Sequence, residues 1–195
     1  MFKYILIIAL AAGGGWYYTH RKVIDPTAML APNDPVQVDL YSAAPVELNG
    51  YKLTPMADFR AEARVLSATS YSSGREADLS PVDLALGWGR MSVGNVIDRL
   101  NISQGSRHYF YRWTDAPPIP QQEIITHSAN MHMIPANAAI EKQLERVSTD
   151  DLVKIEGQLV YIRANDGWGW NSSLRRDDSG DGACEVVLVR SMQIY

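Results

Sequence analysis

Apolar and polar residues alternate along much of the chain after residue 45, a pattern that predicts a mainly β domain. From Phe59 to Val65 every second residue is apolar and the residues between are charged, which is typical of a half-buried strand over 59–71. Asn49 and Gly50 separate two short alternating runs, and both tolerate the positive φ that a tight hairpin requires. Further strands are predicted in the segments 106–113, 122–134, 151–163 and 183–195.

Helical periodicity occurs in three segments between these strands. In 137–147, Asn137 can cap a helix that carries Ile140 and Leu144 on one face. In 79–92, Ser80 as an N-cap followed by Pro81 favours a short helix. The segment 92–103 is a third candidate, because its apolar residues are spaced as on one side of a helix.

The order of these elements predicts the fold class. A strand is followed by a helical insert, two strands, a helix and two more strands. A helix between the third and fourth of five strands is how a small Greek-key barrel of the OB type is connected. We therefore expect an α+β, mainly β domain over residues 46–195, with an OB-like barrel and a helical insert. The alternative is an α+β sheet with its helices on one face.

The N-terminus predicts a membrane anchor ahead of this domain. Residues 4–18 carry no charge and end in the aromatic run 16–18, so we expect a single transmembrane helix within residues 1–23. A cleaved signal peptide is the alternative, although cutting after the A-x-A pattern at Ala9 and Ala11 leaves an unusually short leader. The prolines within 24–45 predict an extended tether, and we expect the domain on the periplasmic or extracytoplasmic side.

Charge and cysteine content exclude several function classes. The chain has 18 basic and 22 acidic residues, and three of the basic ones (Lys3, Arg21 and Lys22) precede residue 25. The remaining body carries 15 basic and 22 acidic side chains, a balance that disfavours nucleic-acid binding. Cys184 is the one cysteine, which excludes an intrachain disulfide and a cysteine-clustered metal site.

Three stretches carry a resemblance to other proteins: GREADLSPVDLALGWGRMS (74–92), HSANMHMIPA (127–136) and SSLRRDDSGDGACE (172–185). In these stretches the chain resembles an uncharacterised group of bacterial membrane-anchored proteins, over most of residues 45–190. The resemblance implies a setting in a bacterial cell envelope. It implies no activity, cofactor or site residue, because none is assigned to that group.

Two sets of residues are candidates for ligand binding. Alternation in the predicted strand 122–134 puts Ser128, Asn130 and His132 on one face, together with Thr126, and in an OB-type barrel the second and third strands present the ligand face. Trp168 and Trp170 lie two residues apart and can form an aromatic platform. A solvated strand face and ordinary core packing of the tryptophans are the alternatives.

A cation site is a weaker possibility. Asp177, Ser179 and Asp181, followed by Gly182, match the first half of a calcium loop. Leu188 stands where such a loop needs a bidentate acid, so a connecting turn is favoured and no metal or cofactor beyond this calcium candidate is expected.

Catalysis receives less support than binding. Cys184 with His132 or His127 could form a nucleophile and base, but a cysteine at the beginning of an apolar strand is more typical of a buried structural residue. We therefore expect a binding or structural module in the cell envelope, with a protein or small-ligand partner. The alternative is a hydrolase that uses His132 with acidic residues, with or without a divalent cation.

Overall fold

The structure is a computed structural model that describes residues 25–178, 180 and 182–195. The predicted anchor, residues 1–23, lies outside the described residues, as do Ser179 and Asp181. Within the described residues, no helix is long and apolar enough to cross a membrane.

Strands account for most of the regular structure. They are β1 (Val36–Asp39), β2 (Val46–Leu48), β3 (Tyr51–Ser70), β4 (Val82–Gly87), β5 (Asn101–Gly105), β6 (His108–Arg112), β7 (Ser128–Pro135), β8 (Leu152–Arg163), β9 (Gly169–Asn171) and β10 (Glu185–Ile194). The helices are α1 (Gly94–Ile97), α2 (Gln121–Thr126) and α3 (Ala138–Leu144), with 3-10 turns at Arg75–Asp78 and Gly89–Ser92.

The main sheet closes partly into a ring. Strands β3, β4, β7, β10 and β8 are hydrogen-bonded neighbours in that order, and β8 pairs in turn with β3. β7 and β10 run parallel, whereas the other pairs of the ring are antiparallel. β1 and β2 extend the sheet from β3, and β9 extends it from β8. The fold is therefore mainly β, as the alternating pattern predicts.

Alternate residues of the ring strands form an apolar interior. Phe59 and Val65 of β3 and Met131 and Met133 of β7 are all buried in this core, whereas the charged residues between Phe59 and Ala63 are exposed. Burial of an apolar side chain of this size stabilises a fold by roughly 1.5–3 kcal/mol. The strand predicted at 59–71 is confirmed, and its pattern is the one that fills the ring.

Helix α3 packs onto the same core. Oδ1 of Asn137 accepts hydrogen bonds from the backbone N–H groups of Ala139 and Ile140 at 3.0 and 3.1 Å, so the predicted N-cap is confirmed. Ile140 and Leu144 are buried among the residues of the ring. The helix connects β7 to β8. The chain then turns back from β8 into β10, which lies between β8 and β7 and runs parallel to β7.

The helix predicted over 79–92 is wrong, because residues 82–87 form strand β4. Val82, Leu84 and Leu86 point into the core, while Asp83 and Ala85 are buried on the opposite face. With both faces covered, the segment loses the alternation that would have marked it as a strand.

Two further predictions differ from the structure in this region. The strand predicted over 122–134 is a short helix, α2, followed by β7. The strand predicted over 106–113 is confirmed as β6, but β6 pairs with β5 in a separate two-stranded sheet. The second strand of the ring is therefore β4, and the β5–β6 hairpin covers the sheet from outside.

The predicted tether lies against the sheet from residue 25 onward. Ala31 is fully buried, with its backbone N–H donating to Oγ of Ser92 and its carbonyl accepting from the N–H of Gly89. β1, inside the same segment, pairs with β3. Pro26, Pro32 and Pro35 prevent regular structure without preventing these contacts.

Candidate functional site

A cluster of polar side chains lies on the outer face of β4, β7 and β10, away from the apolar core. Asp83 of β4 is the direct neighbour of His132 of β7, and Val186 of β10 faces His132 from the other side. Alternate residues of a strand share a face, so Cys184, two positions before Val186, lies on this side of the sheet. Three adjacent strands thus bring Asp83, His132 and Cys184 together.

The turn of the β5–β6 hairpin places Arg107 over this cluster. Nη1 of Arg107 donates to Oδ1 of Asp83 at 2.6 Å and to the carbonyl oxygen of Ser80 at 2.9 Å. Its guanidinium carbon lies 3.8 Å from the centre of the Tyr71 ring, a cation–π contact. The backbone N–H of Arg107 also donates to the Tyr71 hydroxyl at 3.1 Å, which fixes the hairpin to the sheet.

The carboxylate of Asp83 is fully buried and is shared between two basic groups. Its Oδ2 lies 3.0 Å from Nδ1 of His132, while its Oδ1 is held by Arg107. Within the described residues, neither Oδ2 of Asp83 nor Nδ1 of His132 has a hydrogen-bond partner of good geometry, so their 3.0 Å contact is an electrostatic one. A buried charge is costly unless it is paired, so these contacts are what allows Asp83 to lie inside the protein.

The ionisation of His132 reflects the same neighbours. Burial by itself lowers the pKa of His132, but hydrogen bonds to Asp83 and Cys184 outweigh burial, so the pKa lies above its ordinary value of 6.5. The ring of Trp170, from β9, lies 4.7 Å from the imidazole centre to centre and covers it. His132 therefore keeps its proton to a higher pH than an isolated imidazole does, and an imidazole can both accept and return a proton.

Cys184 sits at the open side of the cluster. Its thiol donates to the carbonyl oxygen of Arg107 at 3.8 Å and accepts from Nδ2 of Asn130 at 3.7 Å, and it lines the same pocket as the His132 ring. Gln104 donates to Oδ1 of Asn130 at 2.6 Å, which fixes the amide with its NH2 group towards the sulfur. The cysteine itself is partly exposed.

Cys184 and His132 line an open pocket of about 410 Å³. Arg107 and Trp170 form further parts of its wall, and Glu76 contributes a carboxylate. Pockets of a few hundred Å³ with a few convergent polar groups are typical of small-molecule sites. The arrangement can therefore hold a small ligand against a thiol, an imidazole and a guanidinium.

A narrower cavity of about 120 Å³ lies on the other side of Cys184. Tyr109 and Ser128 line it, and the Tyr109 hydroxyl donates to Oγ of Ser128 at 3.3 Å. Burial raises the pKa of Tyr109 well above its ordinary value, so the phenol stays neutral. Arg176 and the fully buried Glu185 form an ion pair at the wall of this cavity.

The residues predicted to bind a ligand divide between these places. Ser128, Asn130 and His132 share one face of β7, as alternation predicts, but they are 8%, 6% and 3% exposed, because the β5–β6 hairpin and Trp170 cover them. Trp170 contacts His132, whereas Trp168 lies beside Tyr51 and Arg75, outside the pocket. Thr126 ends helix α2 and is not part of the strand face.

Asp83 and Arg107 are site residues that sequence reasoning missed. Asp83 was assigned to a predicted helix, yet a lone carboxylate inside the apolar run VDLALG is a signal that it has a buried partner. Arg107 carries no such signal, since it belongs to a polar turn. Cys184 was weighed as a nucleophile and disfavoured, and the structure sets it beside His132 rather than His127.

The calcium candidate remains untested. Asp177 forms an ion pair with Arg175 on its own loop, and Ser179 and Asp181 lie outside the described residues. Across residues 25–178, 180 and 182–195, no group of three or more His, Cys, Asp or Glu side chains is placed to hold a metal ion.

The three stretches that carry the sequence resemblance meet at this cluster, which draws Asp83 from 74–92, His132 from 127–136 and Cys184 from 172–185. Comparison with family models, with curated proteins and with solved structures found no match to the chain.

Proposed function

We propose that the chain is a membrane-anchored protein of the bacterial cell envelope whose OB-like barrel binds a small organic ligand in the pocket beside Cys184. The spatial order of the ring is β3–β4–β7–β10–β8. Along the chain, α3 lies between β7 and β8, the third and fourth ring strands, and β7 runs parallel to β10, the fifth. This arrangement supports the OB-type assignment. The pocket is lined by His132 on the outer face of β7, the third ring strand along the chain, and in OB-type barrels the face of the second and third strands binds ligands.

The observation that carries the proposal is the convergence of polar groups on one pocket. A guanidinium, an imidazole and a thiol face a single open space, with the Trp170 ring as a flat apolar wall. Fixed donors beside an aromatic surface suit a ligand that combines a carbonyl group with a planar apolar part. A purely structural polar cluster would need no such opening.

Ligand-observed NMR on the full chain in a mild detergent tests this proposal. The probes are benzamide, phenylacetamide and N-acetylphenylalanine amide, each of which combines a carbonyl with an aromatic ring and does not react with thiols. We expect saturable binding that Trp170→Ala abolishes. Trp168→Ala is the matched control, because Trp168 lies outside the pocket, and it should bind like the unaltered chain. Equal signals from all three proteins would contradict the proposal.

The anchor has its own test, since residues 4–18 support it by sequence alone. The full chain should stay in the membrane fraction after an alkaline wash, and a chain lacking residues 1–23 should not. A reporter that is active only after export, fused after Tyr195, should be active. Release of a shortened soluble body would favour signal-peptide cleavage instead.

A hydrolase that uses His132 is the second candidate, and one observation favours it. Asp83 engages Nδ1 of the ring, which leaves Nε2 as the nitrogen able to exchange a proton with a neighbour.

A further inference from the structure

We propose that Cys184 is the nucleophile of an acyl-transfer centre, with His132 as its general base and Asp83 as the residue that positions the imidazole. The substrate class is an activated carboxylic ester or thioester small enough to enter the pocket. The inference rests on the proposed ligand pocket and adds a reaction to it.

The order of the three side chains is the first argument. A thiol is activated when a base lies within hydrogen-bond reach and a third group orients that base. Here Oδ2 of Asp83 faces Nδ1 of His132 at 3.0 Å, and the Cys184 thiol lines the same pocket as the imidazole. Asp83 and His132 are paired across the adjacent strands β4 and β7, and Cys184 immediately precedes β10, the strand that pairs with β7 on its other side.

The anchoring of Asp83 is the second argument. Arg107 and Ser80 hold Oδ1 of the carboxylate, so that Oδ2 is left for His132 alone. The guanidinium of Arg107 is in turn stacked on Tyr71. A carboxylate fixed in this way holds the imidazole in one orientation and one tautomer, the role of the acid in such triads.

Access is the third argument. Asp83 is fully buried, whereas Cys184 and His132 both line the open pocket, so a substrate can reach the nucleophile and base without reaching the orienting acid. Trp170 forms the wall along which the rest of the acyl group can lie.

The reaction balances with an ester and water as the reactants. Nε2 of His132 takes the thiol proton, and Sγ forms a bond to the carbonyl carbon while the C=O π electrons move onto the oxygen, which becomes negative. The bond from carbon to the leaving alkoxide or thiolate then breaks, and the imidazolium returns the proton to that leaving group. Water activated by His132 releases the acid from Cys184 in a second step of the same kind.

Acetylation by p-nitrophenyl acetate tests the centre in the full chain. We expect a burst of p-nitrophenol equal to the amount of protein and an acetyl group located on Cys184 by peptide mass spectrometry. His132→Asn should slow the burst about 100-fold or more, as loss of a general base does. His127→Asn is the matched control. His127 is also a partly buried histidine, but it is not part of the row of Asp83, His132 and Cys184, so its replacement should leave the burst unchanged.

Asp83→Asn gives a readout that a merely structural residue would not change. The carboxylate raises the pKa of His132, so its loss should move the rise of the acetylation rate with pH towards lower pH. An unaltered pH profile in a folded Asp83→Asn chain would remove Asp83 from the centre.

Wild-type protein unfolded in urea supplies a reference that needs no variant. Cys184 should be acetylated at least 100-fold faster in the folded chain than in the unfolded one, because only folding brings the base to the thiol. Equal rates, or acetyl groups on lysines alone, would overturn the inference. If amide probes still bind while acetylation fails, the pocket proposal stands and only the reaction is wrong; loss of Trp170-dependent binding would instead remove the pocket proposal.

Discussion

Two arginine–aspartate pairs flank the β8–β9 hairpin, and they differ mainly in their exposure to solvent. Arg75 pairs with Asp166 through two hydrogen bonds of 2.7 and 2.9 Å and stacks on Trp168. Arg107 pairs with Asp83 at 2.6 Å and stacks on Tyr71. The carboxylate of Asp166 is 61% exposed, whereas that of Asp83 is completely buried.

The difference shows how burial changes the role of the same chemical pair. In water, ions exchange solvent contacts for each other with little net gain, so an exposed pair contributes little. Inside the protein the alternative to pairing is an isolated charge, so each partner depends on the other. Only the buried pair can fix the orientation of a third group, His132, and the acyl-transfer proposal requires that orientation.

Asp83→Ala should give the largest loss of stability. It leaves Arg107 and a protonated His132 buried without their counter-ion, and breaking a buried pair in this way costs about 4 kcal/mol. The free energy of unfolding from urea titration measures the loss. The double variant Asp83→Leu with Arg107→Met removes both charges and should recover most of it. A single variant as stable as wild type would mean that the buried charges are not coupled.

Stability should depend on pH through His132. Its folded-state pKa lies above the ordinary 6.5, so its ion pair with Asp83 stabilises the fold fully below about pH 6.5 and is lost as pH rises through the folded value. Asp83 faces the ring directly, and the ionisable groups Glu76, Arg107, His108 and Cys184 line the same pocket. The urea midpoint of the wild type, measured against that of His132→Asn, should show this decrease. Parallel pH profiles for the two proteins would contradict it.

Tyr71→Leu should have a smaller effect, because it removes the ring under Arg107 but leaves the ion pair. A cation–π contact that is shielded from water contributes about 1–2 kcal/mol. Tyr71→Phe keeps the ring and loses only the hydroxyl that accepts the Arg107 N–H, so it should cost about 1 kcal/mol. Urea titration of both variants separates stacking from hydrogen bonding. If Tyr71→Phe lost more unfolding free energy than Tyr71→Leu, the hydroxyl and not the ring would be the main contribution of Tyr71.

Asp166→Ala should have the smallest effect, with no measurable shift of the urea midpoint, despite the good geometry of its contact with Arg75. The same variant should leave the p-nitrophenyl acetate burst unchanged, since Asp166 does not line the pocket. A destabilisation as large as that of Asp83→Ala would show that exposure does not distinguish the two pairs.

Local sequence patterns were sufficient to predict elements that have one solvent-exposed face and one buried face. The alternation of β3, the cap of α3 at Asn137 and the Asn49–Gly50 hairpin all depend on residues close together in the chain, and all three are confirmed. β4 was missed because both of its faces are buried, and β6 was placed in the wrong sheet because pairing partners cannot be read from one strand. The fold is mainly β and its sheet closes partly into a ring, in which β4 and not the predicted strand β6 lies next to β3.

The candidate site could be predicted only in part for the same reason. Alternation was enough to put Asn130 and His132 on one face, but it could not tell a solvated face from a covered one. Covering depends on the β5–β6 hairpin, which is held over the sheet by contacts between Arg107 and residues 24 and 36 positions earlier in the chain.

By itself the sequence determined the mainly β character, the face of β7 that carries polar groups, and the acidic balance that disfavours nucleic acids. These properties follow from short-range periodicity and composition, which act whatever the rest of the chain does. Tertiary structure alone decided that Asp83, His132 and Cys184 form one row. They are separated by 49 and 52 positions in the chain, and only the pairing of β4, β7 and β10 brings Asp83 beside His132 and sets Cys184, just before β10, on the same pocket as His132.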